Sequence, residues 1–134
     1  MSALLELADR IEAAEGPDAD LFWEAWRTCF PKPSEIWAVL GETWTDEYTD
    51  WQERQMFWSC FIDADAWLDA ALTLVPEGWT DVRQHQSRMT DGSVRCYAAI
   101  EFDLSDMCLT AEGMAAATPA LALCAAALRA RAAQ

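Results

Sequence analysis

Asp63, Asp65 and Asp69 form a D-x-D-x-x-x-D cluster, the spacing in this chain nearest to an oxygen-ligand set. A bound cation would need these carboxylates on a loop, with further oxygen donors. No glycine-containing calcium loop follows, so the simpler reading is an N-cap and first-turn acids at a helix start. His85, the single histidine, sits between Gln84 and Gln86. A general base needs an orienting acid and a nucleophile. Asp81 is too far along an extended strand to orient His85, whereas Glu101 or Asp103 can approach from a neighbouring strand. No Ser or Cys occupies a recognisable nucleophile motif, so His85 reads as a solvent-facing strand residue. The cysteines Cys29, Cys60, Cys96, Cys108 and Cys124 are odd in number, form no C-x-x-C and have apolar neighbours. They read as small buried hydrophobes in a reducing compartment. With no Cys at ligand spacing from His85, no metal site is expected. No catalytic residue and no cofactor is expected either.

The tryptophans are the second chemical resource. All eight lie between Trp23 and Trp79, and Trp37, Trp44, Trp51 and Trp58 recur every seven residues. They can fill a core, form an interface, or line a cage for a cation or a base. Core is the leading reading. Trp44 and Trp51, flanked by Thr45-Asp46-Glu47 and Asp50, are the two expected to reach the surface.

Charge is the third. The 134 residues hold 23 Asp+Glu against 9 Lys+Arg, a formal net charge of −14 with a pI near 4.1. At 53% hydrophobic residues this is no disordered acidic tail. Direct nucleic-acid binding is excluded, because it needs a basic patch. Residues 1–78 hold 17 acids and 4 bases, a net of −13, so the remainder is nearly neutral. Asp9, Glu12, Glu15, Asp18, Asp20, Glu24, Glu42, Asp46, Glu47, Asp50 and Glu53 are expected to make a continuous negative face. Such a face steers onto a basic groove of the kind that holds nucleic acid, as a DNA mimic does. Trp44, Asp46, Glu47, Asp50, Trp51 and Glu53 are the expected partner contacts.

These residues must be positioned by a short list of elements. Residues 3–14 predict an amphipathic helix capped by Ser2, with Leu4, Leu5, Ala8 and Ile11 on one stripe. A second helix runs from about Asp18 to Phe30, with Phe22, Trp26, Cys29 and Phe30 on one face, and Pro31 and Pro33 stop it. Ser34 can cap a short helix to Leu40, ended by Gly41. A loop is expected next, then a short strand or helix near Gln55 to Phe61. Ala64 to Val75 predicts a helix capped by Asp63 or Asp65, burying Trp67, Leu68, Ala71, Leu72 and Val75. Trp79 to Arg88 and Val94 to Asp103 predict a hairpin across Asp91-Gly92. Its first strand is polar, hence an edge. Its second alternates, with Val94, Cys96, Ala98, Ile100 and Phe102 facing in. Met107 to Ala111 predicts a third short strand. Thr118 and Pro119 open a last helix to about Ala132.

The order predicts one α+β domain, a small antiparallel sheet packed between helices in an α/β/α sandwich-like arrangement. Leu68-Asp-Ala-Ala-Leu-Thr-Leu-Val-Pro-Glu-Gly-Trp79, Ala117-Thr-Pro-Ala-Leu-Ala-Leu-Cys-Ala-Ala-Ala-Leu-Arg-Ala-Arg131 and Arg10-Ile-Glu-Ala-Ala-Glu-Gly-Pro17 resemble the shared core of small phage and prophage proteins, the phage ABA sandwich domain family. The resemblance covers residues 1–20 and 64–134 and implies a sheet between two helical layers. It implies no activity and no catalytic residues. The Trp-rich acidic stretch, about 21–61, departs from the family pattern and reads as an insertion.

The function expected is a non-enzymatic, phage-derived acidic binding protein. Its partner would be a basic host or phage protein, for example a nucleic-acid-binding defence complex blocked in an anti-CRISPR-like manner. A sequestering protein with a Trp-lined pocket is the alternative, and a structural accessory of phage assembly is another. The N-terminus lacks the basic region and apolar core of a signal peptide, and the Met114–Leu128 run is shorter than the ~20 residues a membrane span needs. No membrane partner is therefore expected, and the location expected is the host cytoplasm.

Overall fold

The computed structural model describes residues 2–33, 46–104 and 107–134, apart from the side chains of Asp46, Leu104 and Met107. Helix α1 spans Ala3–Ala13, and the Ser2 hydroxyl accepts the Leu5 N–H at 3.3 Å. It buries Leu7, Ala8 and Ile11, while Leu5 stays exposed. Helix α2 spans Ala19–Cys29, and the Asp18 carboxylate accepts the Leu21 N–H at 3.1 Å. Both caps satisfy N–H groups that have no partner within the helix. Phe22, Ala25 and Trp26 face the core.

Helix α3 covers 18 residues, Asp46–Asp63. This corrects the expected loop followed by a short element near Gln55–Phe61. Thr49 costs a helix only a few tenths of a kcal/mol. The seven-residue spacing of Trp51 and Trp58 brings both to the inner side, where Trp58 is 1% exposed. The expected helix at Ser34–Leu40, with Trp37 and Trp44, lies outside the described residues.

Helix α4 is Trp67–Thr73, shorter than the expected 64–75. Asp65 takes a left-handed backbone, φ +55°, and the Ala64, Asp65 and Ala66 N–H groups bond back to Cys60, Ile62 and Phe61. Asp63 and Asp65 thus belong to the end of α3. They do not cap α4, whose N-cap is Ala66 with no side-chain bond. The turn rotates α4 so that Ala70, Ala71 and Leu74 are buried, leaving Leu68 39% and Leu72 44% exposed where burial was expected.

The sheet has three antiparallel strands in the order β1 (Asp81–Arg88), β2 (Val94–Leu104), β3 (Met107–Ala116). The hairpin turn holds Gly92 at φ +89°, a conformation glycine adopts at no steric cost. Asp91 accepts the Ser93 N–H at 2.9 Å and its hydroxyl at 2.6 Å. Strand β1 is the polar edge, as its composition predicts. Strand β2 buries Cys96, Ala98 and Ile100, while Val94 is exposed and Phe102 half-buried. Strand β3 is longer than the expected 107–111 because it continues through a bulge near Ala115, φ +53°.

Helix α5, Pro119–Ala132, packs on the inner sheet face. Thr118 caps it through the Leu121 N–H at 3.2 Å. It is buried nearly all round, by the sheet on one side and by α1 and α4 on others. The protein is α+β, a small antiparallel sheet packed against helices. The helices in contact with the sheet, α1 and α5, also pack on each other. The opposite sheet face, carrying Arg83, His85, Tyr97 and Glu101, has no helix on it among the described residues.

Candidate functional site

The catalytic constellations weighed from sequence do not assemble. Among the described residues no group of three His, Cys, Asp or Glu side chains could hold a metal ion. Asp63 ends a helix, Asp65 lies in a turn and Asp69 is on α4. The His85 ring stacks on Tyr97, its cross-strand partner, at 4.8 Å and 3°. Glu101 does not orient it. Arg83 donates to Glu101 at 2.9 Å and to Asp81 at 2.8 Å, and its guanidinium holds the Asp81 carboxyl below the ordinary carboxylate range.

The acidic first half is partly neutralised from within. Asp9 and Glu12 pair with Arg129, and Glu24 pairs with Arg10 at 2.7 Å, which holds Glu24 below its ordinary pKa. Asp18 is used as a cap. These members of the expected negative face are engaged by the protein itself. By contrast Glu47, Asp50 and Glu53 are exposed and make no ion pair among the described residues. They sit in the first half of α3, where the helix dipole favours negative charge in the opening turn.

Helix α3 separates two surfaces. Tyr48, Trp51, Trp58 and Ile62 face inward. Trp51, expected at the surface, is half-buried. Its Nε1–H donates to the Phe30 carbonyl at 2.9 Å, and its ring lies 5.7 Å from both Trp26 and Tyr48. Outward, at helical spacing, stand Thr49, Asp50, Glu53, Met56, Phe57 and Cys60, with Met56 60% and Phe57 61% exposed. Of the six expected contacts, the structure brings Glu47, Asp50 and Glu53 together. Asp46 opens the helix with its side chain undescribed, and Trp44 lies outside the described residues. Met56, Phe57 and Cys60 were missed. Their signal was their offset from Trp51 and Trp58, readable only once the segment is known to be helical.

Inside α3 the tryptophans form a connected aromatic core. Trp26 meets Trp23 at 5.8 Å and Phe30 at 5.5 Å, and Trp58 meets Phe22 at 6.1 Å and Trp23 at 6.3 Å. Every described tryptophan is buried or half-buried. Two hollows remain. One, of about 540 Å³, is lined by Trp23, Trp26, Phe30 and Trp51 with Arg27 and Lys32. The other, of about 270 Å³, is lined by Trp26, Phe30, Phe57, Trp58 and Phe61 with Arg54 and Thr73. The Trp58 Nε1–H is the one fully buried side-chain N or O without a hydrogen-bond partner among the described residues. Such an orphan costs about 1–3 kcal/mol. The Arg54 and Arg131 guanidinium groups both lie over the Phe30 ring, at 5.3 and 4.7 Å. Burial pulls the Arg131 pKa down, while its Nε–H donates to the Leu74 carbonyl at 2.6 Å.

Comparison with family models, with curated proteins and with solved structures found no match.

Proposed function

We propose that this chain is a non-enzymatic binding protein that docks through the outer face of α3 on a basic surface of a partner protein. The observation that carries this is the juxtaposition on one helix face of two acids with no ion pair among the described residues, Asp50 and Glu53, and exposed Met56 and Phe57. Hydrophobic side chains exposed together and flanked by charge are the usual composition of a docking patch. The acids supply long-range steering and the apolar residues supply short-range burial. At 1.5 Å per residue the helix is about 27 Å long, enough to fill a groove. A net charge of −14 favours a groove that ordinarily holds nucleic acid. The most specific form of the proposal is a phage-derived counter-defence inhibitor, anti-CRISPR-like, acting in the host cytoplasm. Its support is the family resemblance together with the acidic surface.

The test is capture from bacterial lysate at low and at high salt, with wild type beside the Glu47→Lys/Asp50→Lys/Glu53→Lys variant. The expected result is one basic complex, retained at low salt only and lost by the variant. Retention by the variant, or capture of nothing basic, overturns the proposal.

A further inference from the structure

We infer that the cavity beside Trp58 is a binding site for a small aromatic carboxylate. The site lies where α2, α3 and α4 meet, and of the outer-face residues of α3 it shares Phe57. Trp26, Phe30, Phe57, Trp58 and Phe61 enclose about 270 Å³. That is room for one ring and a short chain, just below the usual range of about 300–1,000 Å³ for ligand pockets. Aromatic walls select a planar apolar body, through stacked or edge-on contact.

The polar groups select the head of the ligand. Trp58 is 1% exposed, and its indole N–H has no acceptor. A buried donor left unpaired is rare enough to require an explanation, and an acceptor on a bound molecule is one. Arg54 lines the same cavity. Asp50, one turn earlier on α3, is its natural partner, yet no ion pair forms among the described residues. Arg131, across the Phe30 ring, also lacks a carboxylate partner there. Arg10, Arg83 and Arg129 pair with the protein's own acids, whereas Arg27, Arg88 and Arg95, like Arg54 and Arg131, make no ion pair among the described residues. In a chain of net charge −14, two guanidinium groups over one ring, without a carboxylate partner among the described residues, form a local positive field. Thr73 adds a hydroxyl that donates its proton to the Ala70 carbonyl at 2.7 Å, so the donors left to a bound head group are the Trp58 N–H and the Arg54 guanidinium. One N–H donor and one guanidinium match the two oxygens of a carboxylate, and hydrogen bonds to an ionised acceptor are the strong ones.

The probe is hydrocinnamate, titrated into the whole protein and followed by tryptophan fluorescence and by the indole N–H resonances in NMR. Saturable binding is expected, with the Trp58 indole resonance moving most. Hydrocinnamamide, of the same shape without the charge, is expected to bind about tenfold more weakly or worse. The exposed-site variant Arg54→Gln should lose that preference while keeping the native circular dichroism spectrum. Trp58→Phe keeps the ring and removes the donor, and should weaken hydrocinnamate by about tenfold. Absence of saturation by about 10 mM overturns the proposal, being weaker than any specific pocket of this kind would give. Equal affinity for the acid and the amide, or an unmoved Trp58 resonance, overturns it as well.

Discussion

Gly113 on β3 lies so close to α5 that a Cβ built on it would stand 1.8 Å from the Ala122 carbonyl oxygen. The strand backbone and the helix backbone are in contact at this point, which only glycine permits. The alanines of α5 serve the same close approach along the rest of the helix. Gly113→Ala must push strand and helix apart, and the expected cost is about 3 kcal/mol. In thermal unfolding that is a fall of about 10 °C for a domain of this size. Gly16→Ala is the control, because nothing lies within 4 Å of its added Cβ. It should leave the midpoint unchanged or slightly raised.

Arg129 ties three elements together at the other end of that helix. It donates to Asp9 at 2.7 Å, to both Glu12 oxygens and to the Glu112 carbonyl at 2.8 Å. Glu12 also accepts the Met114 N–H beside the bulge, at 2.5 Å. Removing the guanidinium leaves Glu12, which is largely shielded from water, without its charge partner. Arg129→Leu is expected to cost about 1.5–3 kcal/mol in urea unfolding. Arg10→Ala breaks a pair that is mostly in water and should cost below about 1 kcal/mol. Equal costs for the two would show that Arg129 is no more than a surface charge.

What the amino-acid sequence disclosed was mostly short-range chemistry. Ser2, Asp18 and Thr118 cap helices because a side-chain oxygen three residues before an N–H reaches it whatever the rest of the chain does. Asp91-Gly92 turns the hairpin for a similarly local reason. Helix α3 was hidden because its outer face carries Met56 and Phe57, which erases the polar–apolar contrast that marks an amphipathic helix. The end of α3 was hidden because Asp65 takes the left-handed conformation where glycine is the usual sign. The acidic neighbours of Trp51 pointed it outward, and half of it is packed inside. Adjacent residues in a helix point about 100° apart, so Asp50 can be in water while Trp51 is packed on Trp26. The acids of the candidate site were legible as charge. Its apolar half was not, because a docking stripe is defined only relative to a buried one.

The thiols should divide by burial. Cys60 and Cys108 are exposed, while Cys96 and Cys124 are buried and Cys29 is half-buried. Ellman's reagent should titrate two thiols in the native protein and five after denaturation. Cys108 should react more slowly than Cys60, because desolvation and the nearby Glu101 and Asp103 push its pKa up. Burial pushes the Cys29 thiol up to about 11. A thiol ionises more readily in the unfolded chain, near pH 8.5. The contribution of Cys29 to stability is therefore full below about pH 8.5 and is lost as pH rises toward 11. Cys29→Ala should flatten the decline of the urea midpoint across that window. An unchanged decline would assign the alkaline loss to other groups.

The two faces of α3 should separate cleanly by mutation. Trp51→Phe removes the N–H that holds the Phe30 carbonyl. It is expected to lower stability by about 1 kcal/mol and to leave affinity for the captured partner intact. Glu47→Lys, Asp50→Lys and Glu53→Lys break no ion pair among the described residues and should each change stability by less than about 1 kcal/mol. Together they should slow association and flatten its dependence on salt, because steering acts on the encounter rather than on the final contacts. Phe57→Ser should instead speed dissociation, since the lost contact is short-ranged and apolar. Association and dissociation measured by surface plasmon resonance at two salt concentrations resolve these effects. If the charge reversals alter only dissociation, or if Trp51→Phe weakens binding as much as they do, the inner and outer faces of α3 do not have the separate roles their contacts assign.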